Sequence, residues 1–317
     1  MEFDTGRVPL QSIDSTDDFY LITTTYPIND LADSIKHVDL INPPLLLACD
    51  LKYRIVCGFQ RIAACRHLGF QSVPAKILDP ATAPMRCAEL AISDNTQIRK
   101  LNLIEESRAL RLLSRFIDND KSLCRAGAVL GLNENLKTVE KIRRVCHMPL
   151  HIIRGILSGI IALPMALELE RLDSSSGTAV CDLFINLKVN LNKQREIFTL
   201  LGEVAILEDI AIVDILREDP ISEIIHAKEM DRNQKIGQLR MLLKKRRFPE
   251  LSRVEERFGA LSKALKLGDN VKLIPPANFE GTAYTLTLTL KNIAEAESHK
   301  QTLHNLFQNP IFREILG

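Results

Sequence analysis

The stretch from Tyr53 to Leu78, YRIVCGFQRIAACRHLGFQSVPAKIL, constrains the fold of this chain more than any other. Its pattern predicts a buried strand that breaks at Gly58, a helix over residues 59–68 and a second strand over residues 73–78. A strand that opens through a glycine into a helix leaves free backbone N–H groups at the helix start, where phosphate groups bind readily. A plain glycine turn produces the same pattern. The stretch alone therefore predicts an α/β unit and leaves both interpretations of its turn open.

Length, charge and cysteine usage limit the class of protein. A chain of 317 residues predicts two or three domains, and a net charge of +1 means that any contact with nucleic acid must come from local patches. The seven cysteines form no Cys-x-x-Cys pair, which argues against a zinc site and for reduced thiols in the cytosol. The polar N-terminus does not resemble a signal peptide, and the longest apolar stretch, residues 156–169, is too short to span a membrane. We therefore expect a cytoplasmic protein with no membrane partner.

Further elements precede the central stretch and complete a small domain. Residues Val8 to Ile13 are typical of a short edge strand, residues 30–38 show helical spacing, and residues 45–48 are typical of a buried strand. The segment 79–84, DPATAP, has the composition of a linker. The pattern predicts a small α/β domain that ends near Leu78.

A helix-turn-helix pattern follows in the next part of the chain. A short helix over residues 121–130, with Ser122 as its N-cap, is followed by a turn and a second helix over residues 136–146. The cations on the outer face of the second helix could neutralise DNA phosphates, and its threonine could approach a base edge. A simple solvated helix face is the alternative. The candidate DNA-binding residues are Lys137, Thr138, Lys141, Arg143 and Arg144.

The remainder of the chain changes character twice. The serine-rich segment 174–177 is predicted to be a surface loop between helices. Residues 203–223 are acidic and residues 228–247 are basic. The basic run suits either cations near a helix C-terminus or contact with a DNA backbone. Alternating residues over 271–274 and 284–290 predict two half-exposed strands, and residues 293–307 predict a final amphipathic helix.

Taken in order, these pieces resemble the ParB family of chromosome and plasmid partition proteins. Residues 39–43 are similar to the family's Gly-Leu-x-x-Pro turn, and residues 55–78 to its Gly-Glu-Arg-Arg box and the next strand. Residues 94–107 are similar to the Glu-Asn-x-x-Arg box with its helix, and residues 121–149 to the helix-turn-helix. The resemblance extends from about Val8 to about Val204.

The residue patterns and the resemblance together predict an α+β fold class with four regions. A ParB/sulfiredoxin-like nucleotide-binding domain occupies residues 1–84, and an all-α domain with the helix-turn-helix occupies residues 85–205. A charged helical linker over residues 206–250 and a ββα docking or dimerisation module over residues 251–317 follow.

The resemblance also implies ligands and partners. A family member binds CTP with Mg²⁺, hydrolyses it slowly at most, and closes as a homodimeric clamp around double-stranded DNA in the nucleoid, often beside a ParA-type ATPase. Asn95 is the candidate Mg²⁺ ligand. The candidate nucleotide-binding residues are Asn42, Pro43, Gly58, Phe59, Gln60, Arg61, Asp94 and Asn95.

This chain departs from the family where phosphates should bind. Arg61 is the one arginine left of three in the first box, and Ile98 replaces the arginine of the second box unless Arg99 reaches back. Each lost arginine removes a charge-assisted contact of about 1.5–3 kcal/mol. Three functions therefore stay open: a CTP-gated partition protein, a DNA-binding regulator or nucleoid adaptor without nucleotide control, and an enzyme. The enzyme reading is the weakest, because Phe59 occupies the place of the sulfiredoxin nucleophile and no cluster of acids with a lysine suggests a nuclease.

Overall fold

The computed structural model describes residues 3–24, 28–50, 52–268, 270–290, 300 and 303–316. The chain divides into two compact units, Met1–Leu191 and Asn192–Gly317. Each unit is described by itself.

A five-stranded mixed sheet forms the start of the first unit. The strands are β1 (Asp4–Pro9), β2 (Ile13–Asp14), β3 (Leu45–Cys49), β4 (Lys52–Cys57) and β5 (Ser72–Leu78). In the order β1-β5-β3-β4-β2, β1 is antiparallel to β5, β3 is parallel to β5, and β3 and β4 are antiparallel. The short β2 pairs in parallel with β4 at the other edge.

The single edge strand predicted over Val8 to Ile13 is wrong in one respect. The segment is split by a 3₁₀ turn over Leu10–Ser12, so that β1 and β2 lie at opposite edges of the sheet. Pro9 lies at the break with φ −60°, and proline has no N–H with which to continue a ladder.

Helices α1 (Ile28–Val38) and α2 (Phe59–His67) cover the sheet. The core between them contains Leu46, Ile55 and Ile62, each at most 2% exposed. The predicted order of strand, glycine, helix and strand in the central stretch is therefore found as β4, Gly58, α2 and β5. Packing of α2 on the sheet fixes the position of the turn at Gly58.

Seven helices complete the first unit. A second hydrophobic cluster joins the sheet to these helices and contains Val56, Leu78, Ile92, Leu113 and Val139. The helices are α3 (Pro84–Thr96), α4 (Leu103–Leu113), α5 (Asp120–Val129), α6 (Leu136–Val145), α7 (Leu150–Leu157), α8 (Leu163–Leu169) and α9 (Ser174–Asn186).

Two local predictions in this region are wrong, and side-chain caps explain both. Asn119, rather than Ser122, caps α5, since its side chain accepts bonds from two backbone N–H groups of the first turn. The serine-rich segment 174–177 is the first turn of α9 and not a loop, because Asp173 accepts N–H bonds from Ser175 and Ser176. Gly177 is buried in that turn.

The second unit contains helices and one small hairpin. Its strands β6 (Val271–Ile274) and β7 (Thr285–Leu288) pair antiparallel, as the alternating pattern predicts. Of the last helix predicted over residues 293–307, residues 293–299, 301 and 302 lie outside the described residues, while residues 303–308 are helical. The helices are α10 (Leu191–Glu208), α11 (Ile212–Arg217), α12 (Asp219–His226), α13 (Arg232–Arg247), α14 (Pro249–Ala264) and α15 (Pro310–Leu316).

The α+β fold class is confirmed by the sheet at the N-terminus and the many helices that follow it. Within the described part of the chain, every helix is too short or too polar to cross a bilayer.

Candidate functional site

A pocket of about 650 Å³ lies where β4 passes through Gly58 into α2. All eight candidate nucleotide-binding residues line it, although they come from three separate segments of the chain. Ile98 and Arg99, which the sequence raised for the second box, line it too. Further lining residues, which the sequence did not single out for this site, are Tyr20, Ile22, Thr23, Leu31, Val56, Cys57 and Lys76.

Gly58 shapes the pocket floor through its backbone. Its φ of +94° is in the left-handed region, and a Cβ added there would lie 2.9 Å from Cβ of Pro44 and 3.1 Å from its Cα. The residue is also the N-cap of α2, and its carbonyl accepts the first helical bond from Ile62 N–H at 3.1 Å. The N–H groups of the first turn therefore begin at the pocket wall, and such groups have no acceptor within their own helix.

Arg61, the one arginine retained in the box, is held by three acceptors of the protein. Its guanidinium donates to the carbonyl oxygens of Asn42 at 2.7 Å and Pro43 at 3.2 Å, and to the Asp94 carboxylate at 3.1 Å. Its side chain is 19% exposed and that of Asp94 is 38% exposed. The charge of Arg61 is thus largely neutralised inside the pocket.

Gln60 and Cys57 complete this wall in different ways. The Gln60 side chain donates to the Thr24 carbonyl oxygen at 3.2 Å, which joins the first turn of α2 to the segment before α1. Burial, with a smaller contribution from the Asp94 charge, raises the pKa of the Cys57 thiol far above its usual range. Cys57 therefore stays protonated, and this site has no reactive thiolate.

Arg99 also lines the pocket, but its guanidinium faces a buried carboxylate. It donates to both oxygens of Glu105, at 2.6 and 2.7 Å. Glu105, at 0% exposure, further accepts from the Thr24 N–H and hydroxyl and from the Asn102 N–H. Burial by itself would raise the pKa of Glu105, but these hydrogen bonds and the Arg99 charge lower the pKa to about 2.

Sequence reasoning missed this Glu105 network. Asn102 and Glu105 form a complete capping box at the start of α4, in which each side chain accepts from the backbone N–H of the other. The Asn-x-x-Glu spacing before an apolar helix was the signal that could have found it. The role of Glu105 in holding Arg99 and Thr24 depends on tertiary structure and has no sequence signal.

The side-chain nitrogen of Asn95, the candidate metal ligand, is engaged within its own helix. Asn95 Nδ2 donates to the Ala91 carbonyl within α3 at 2.8 Å. Asp94 is the only carboxylate among the described pocket residues, and no group of three or more His, Cys, Asp or Glu able to hold a metal occurs in the described ranges. One carboxylate does not make a metal site by itself. These residues fit Mg²⁺ only if nucleotide phosphates supply most of its ligands.

The predicted DNA-contacting residues occupy α6, the second helix of the helix-turn-helix. Lys137 and Lys141 are exposed, whereas the Thr138 hydroxyl donates to the Asn135 side chain that caps the helix, at 3.2 Å. Val139, Ile142 and Val145 face the core, as the helical pattern requires.

The two arginines of α6 form ion pairs that the sequence does not predict. Arg143 is 37% exposed and pairs with Asp120 at the start of α5, at 2.9 Å. Arg144 is 63% exposed and pairs with Glu170 just after α8, at 2.7 Å. Both pairs link α6 to neighbouring helices.

Fold and pocket together define the class: a mixed α+β domain with a strand–glycine–helix pocket, followed by a helical region that contains a helix-turn-helix. Residues 9–95 match the model of the ParB N-terminal domain. The resemblance to ParB partition proteins that the sequence predicts is thereby confirmed.

Relatives of known name share part of this chain. The probable chromosome-partitioning protein ParB of Campylobacter jejuni is 25% identical over 170 residues, which are 54% of this chain and 59% of the relative. The chromosome-partitioning protein Spo0J of Thermus thermophilus is 34% identical over 86 residues, 27% of this chain and 31% of the relative. The chain thus spans less than two thirds of the length of either relative.

Solved structures show the same similarity at lower identity. The C-terminally truncated ParB of Caulobacter crescentus in complex with CTP-gamma-S is 20% identical, with a TM-score of 0.27, over 57% of this chain and 99% of that one. The same protein complexed to the centromeric parS site is 19% identical, with a TM-score of 0.35, over 60% of this chain and 96% of that one. At these scores we draw no argument from the superpositions.

Proposed function

We propose that this protein is a DNA-binding partition protein of ParB type whose N-terminal pocket takes CTP. The observation that carries the proposal is the gathering of all eight candidate nucleotide-binding residues around one pocket at the start of α2. The match of residues 9–95 to the ParB N-terminal domain and the names of the relatives support it.

In this proposal the phosphates of CTP lie at the first turn of α2. The N–H groups after Gly58 and the helix dipole attract the phosphates, and Arg61 turns from Asp94 toward them. Mg²⁺ would be held by the phosphates with Asp94 and Asn95 nearby, and it would neutralise phosphate charge. Two arginines fewer than the family box make the affinity for CTP weak, and any hydrolysis slow.

In the same proposal α6 reads double-stranded DNA. Lys137 and Lys141 contact phosphates near the N-terminal half of the helix, and Thr138 approaches a base edge after its hydroxyl leaves Asn135. Arg143 and Arg144 exchange their carboxylate partners for phosphates. The names of the relatives, both chromosome-partitioning proteins, support DNA as the partner.

The remaining parts of the proposal follow the family. The protein acts as a homodimer in the cytoplasm, associated with the nucleoid, with a ParA-type ATPase as a further partner. Residues 1–84 serve as the nucleotide domain, 85–205 as the DNA-reading domain, 206–250 as a charged linker, and 251–317 as the docking or dimerisation module.

A second candidate function is a DNA-binding regulator or nucleoid adaptor without nucleotide control. The ion pairs of Arg61 with Asp94 and of Arg99 with Glu105 favour it, because both arginines of the pocket already have anionic partners. A nucleotide must displace Asp94 from Arg61, and it cannot bind Arg99 without leaving the buried carboxylate of Glu105 unpaired.

Calorimetric titration of CTP, ATP and GTP with Mg²⁺ separates the two functions. We expect CTP alone to bind, in the range of tens to hundreds of micromolar, and Arg61→Ala to weaken it at least tenfold. Arg86→Ala, which removes an exposed arginine paired with Glu89 on α3, is the matched control and should bind as the wild type does. The absence of any nucleotide binding near 1 mM would reject the CTP-gated function and leave the regulator.

Genome-wide capture of bound DNA tests the DNA-binding function itself. A few palindromic sites near a replication origin would support partition, whereas many promoters would support regulation. Lys137→Gln with Lys141→Gln should weaken binding at every site and make its salt dependence shallower by roughly 0.9 per lysine. Failure to retain any DNA at low salt would contradict both functions.

A further inference from the structure

A second recess in the first unit belongs to no motif of the sequence. It has a volume of about 340 Å³ and lies between the segment that precedes α1, one face of α4 and the end of α6. We call it the arginine groove. Its lining residues are Asp18, Phe19, Leu21, Arg108, Arg111, Leu112, Arg115 and Cys146.

Three arginines give the groove its chemistry. Arg108 and Arg111 are one turn apart on α4, and Arg115 lies in the turn that follows its last residue, so that all three line the same recess. Arg108 is anchored, because it donates to the Thr23 carbonyl oxygen at 2.7 Å. The guanidinium of Arg115 lies 4.2 Å from the centre of the Phe19 ring, which holds it in place while leaving its N–H groups at the surface.

The groove carries uncompensated positive charge. Asp18 is the only acid that lines it, against three guanidinium groups. Across the described residues, neither Arg111 nor Arg115 has a carboxylate within ion-pair distance, although Arg61, Arg99, Arg143 and Arg144 all do. Unpaired, exposed arginines on one face favour an anion, and the planar fork of guanidinium suits a phosphate oxygen pair.

The groove is fixed beside the helix proposed to read DNA. The N–H of Cys146, at the C-cap of α6, donates to the hydroxyl of Ser107 on α4 at 2.9 Å, and Ser107 is fully buried. This bond holds the end of α6 against the arginine-bearing helix. In helix-turn-helix domains the helix start meets the bases, while flanking elements and the helix end contact the DNA backbone.

We propose that the arginine groove binds phosphates of the DNA backbone next to the segment that α6 reads, with Arg111 and Arg115 as the contacting residues. This inference rests on the proposed DNA-binding function. Arg108 acts as a positioning residue that ties α4 to the segment before α1. The contacts carry no sequence information, so they add affinity equally at all sites.

The test uses the full chain and two duplexes, one captured from the genome and one of random sequence. The variant Arg111→Gln/Arg115→Gln should bind both duplexes on the order of tenfold more weakly, with a salt slope shallower by roughly 1.8. Arg111→Lys/Arg115→Lys keeps the charge and should retain the slope. Arg7→Gln/Lys36→Gln removes two exposed charges from β1 and α1 and should change neither quantity.

The outcomes separate this inference from the function on which it rests. If Lys137→Gln/Lys141→Gln weakens DNA binding while Arg111→Gln/Arg115→Gln leaves slope and affinity unchanged, the groove is rejected and DNA binding by α6 stands. If the arginine variant loses binding of inorganic pyrophosphate but not of DNA, the groove takes a free anion and the inference is overturned. If the wild type binds neither duplex, the proposed function and the inference fall together.

Discussion

The pocket at α2 and the helix α6 both contain arginines with a carboxylate partner, but the two sets of pairs differ in depth. Arg99 pairs with Glu105, which is fully buried, and Arg61 is itself only 19% exposed. On α6, Arg144 is 63% exposed and its pair with Glu170 lies at the surface. The pocket arginines therefore take part in holding the fold, whereas those of α6 sit in pairs that solvent reaches.

This difference indicates how easily each arginine can turn to a phosphate. Breaking an exposed ion pair costs about 0–1 kcal/mol, so DNA can replace the partners of Arg143 and Arg144. Removing the partner of a buried carboxylate leaves a desolvated charge and costs several times more. An arginine count alone overstates the phosphate affinity of the pocket and gives a fair estimate for α6.

The commitment of Arg99 to the fold predicts the largest effect. Glu105→Gln removes the charge partner of Arg99 and weakens the acceptor for Thr24 and Asn102, so we expect the free energy of unfolding to fall by about 2–4 kcal/mol. Urea unfolding measures it. Glu89→Gln, in an exposed pair with Arg86, is the control and should cost less than about 0.5 kcal/mol. Equal losses in the two variants would remove the distinction between buried and exposed pairs.

The Glu105 carboxylate also makes the free energy of unfolding depend on pH in the acid range. The pKa of Glu105 is about 2 in the folded protein against an ordinary value of 4.5, so its stabilisation is complete above pH 4.5 and is lost as the pH falls toward 2. The difference in unfolding free energy between wild type and Glu105→Gln should therefore shrink over this range. A difference that stays constant from pH 5 to pH 2.5 would mean that Glu105 is not held as a carboxylate by Arg99.

The ion pair of Arg61 with Asp94 predicts an effect of intermediate size, in which removing a pocket residue tightens CTP binding. Asp94→Asn frees the guanidinium, and we expect metal-free CTP to bind about tenfold more tightly, equivalent to about 1.4 kcal/mol. Asp33→Asn on α1 serves as the control for one lost negative charge. Calorimetry without Mg²⁺ tests Asp94 as the partner of Arg61, and calorimetry with Mg²⁺ tests it as a metal ligand. If Asp94→Asn tightens CTP binding without Mg²⁺ but weakens it with Mg²⁺, Asp94 is a metal ligand. Weaker binding in both conditions would refute the view that Asp94 competes with phosphate.

The surface pairs of α6 predict the smallest effect on stability. Asp120→Asn and Glu170→Gln should each lower the unfolding free energy by less than about 1 kcal/mol and should tighten DNA binding about two- to fivefold, because each frees an arginine. Thermal melts and fluorescence anisotropy at low salt measure the two quantities. A loss of several kcal/mol in either variant would mean that the pairs of α6 stabilise the fold as strongly as those of the pocket.

Most of the architecture could be predicted from local pattern. The order of β4, α2 and β5 follows from apolar runs interrupted at Gly58 and Gly69, and α5, the turn and α6 follow from helical spacing. The errors arose where a single capping or strand-breaking residue decided the local structure. Asp173 starts a helix at a serine-rich segment that reads as a loop, and Pro9 breaks a strand that reads as continuous.

The strand–glycine–helix turn and the cationic face of α6 were determined by the sequence, because spacing along one turn or one helix decides them. The eight candidate pocket residues were named from the resemblance to a family, and the tertiary structure brings their three segments together. Tertiary structure alone decided which arginines have carboxylate partners. Asp94 meets Arg61 across 33 residues and Glu170 meets Arg144 across 26, and such approaches leave no periodic signal. Tertiary structure also decided that, among the described residues, Arg111 and Arg115 have no carboxylate partner, since Asp18 is the one acid it brings to the groove that they line.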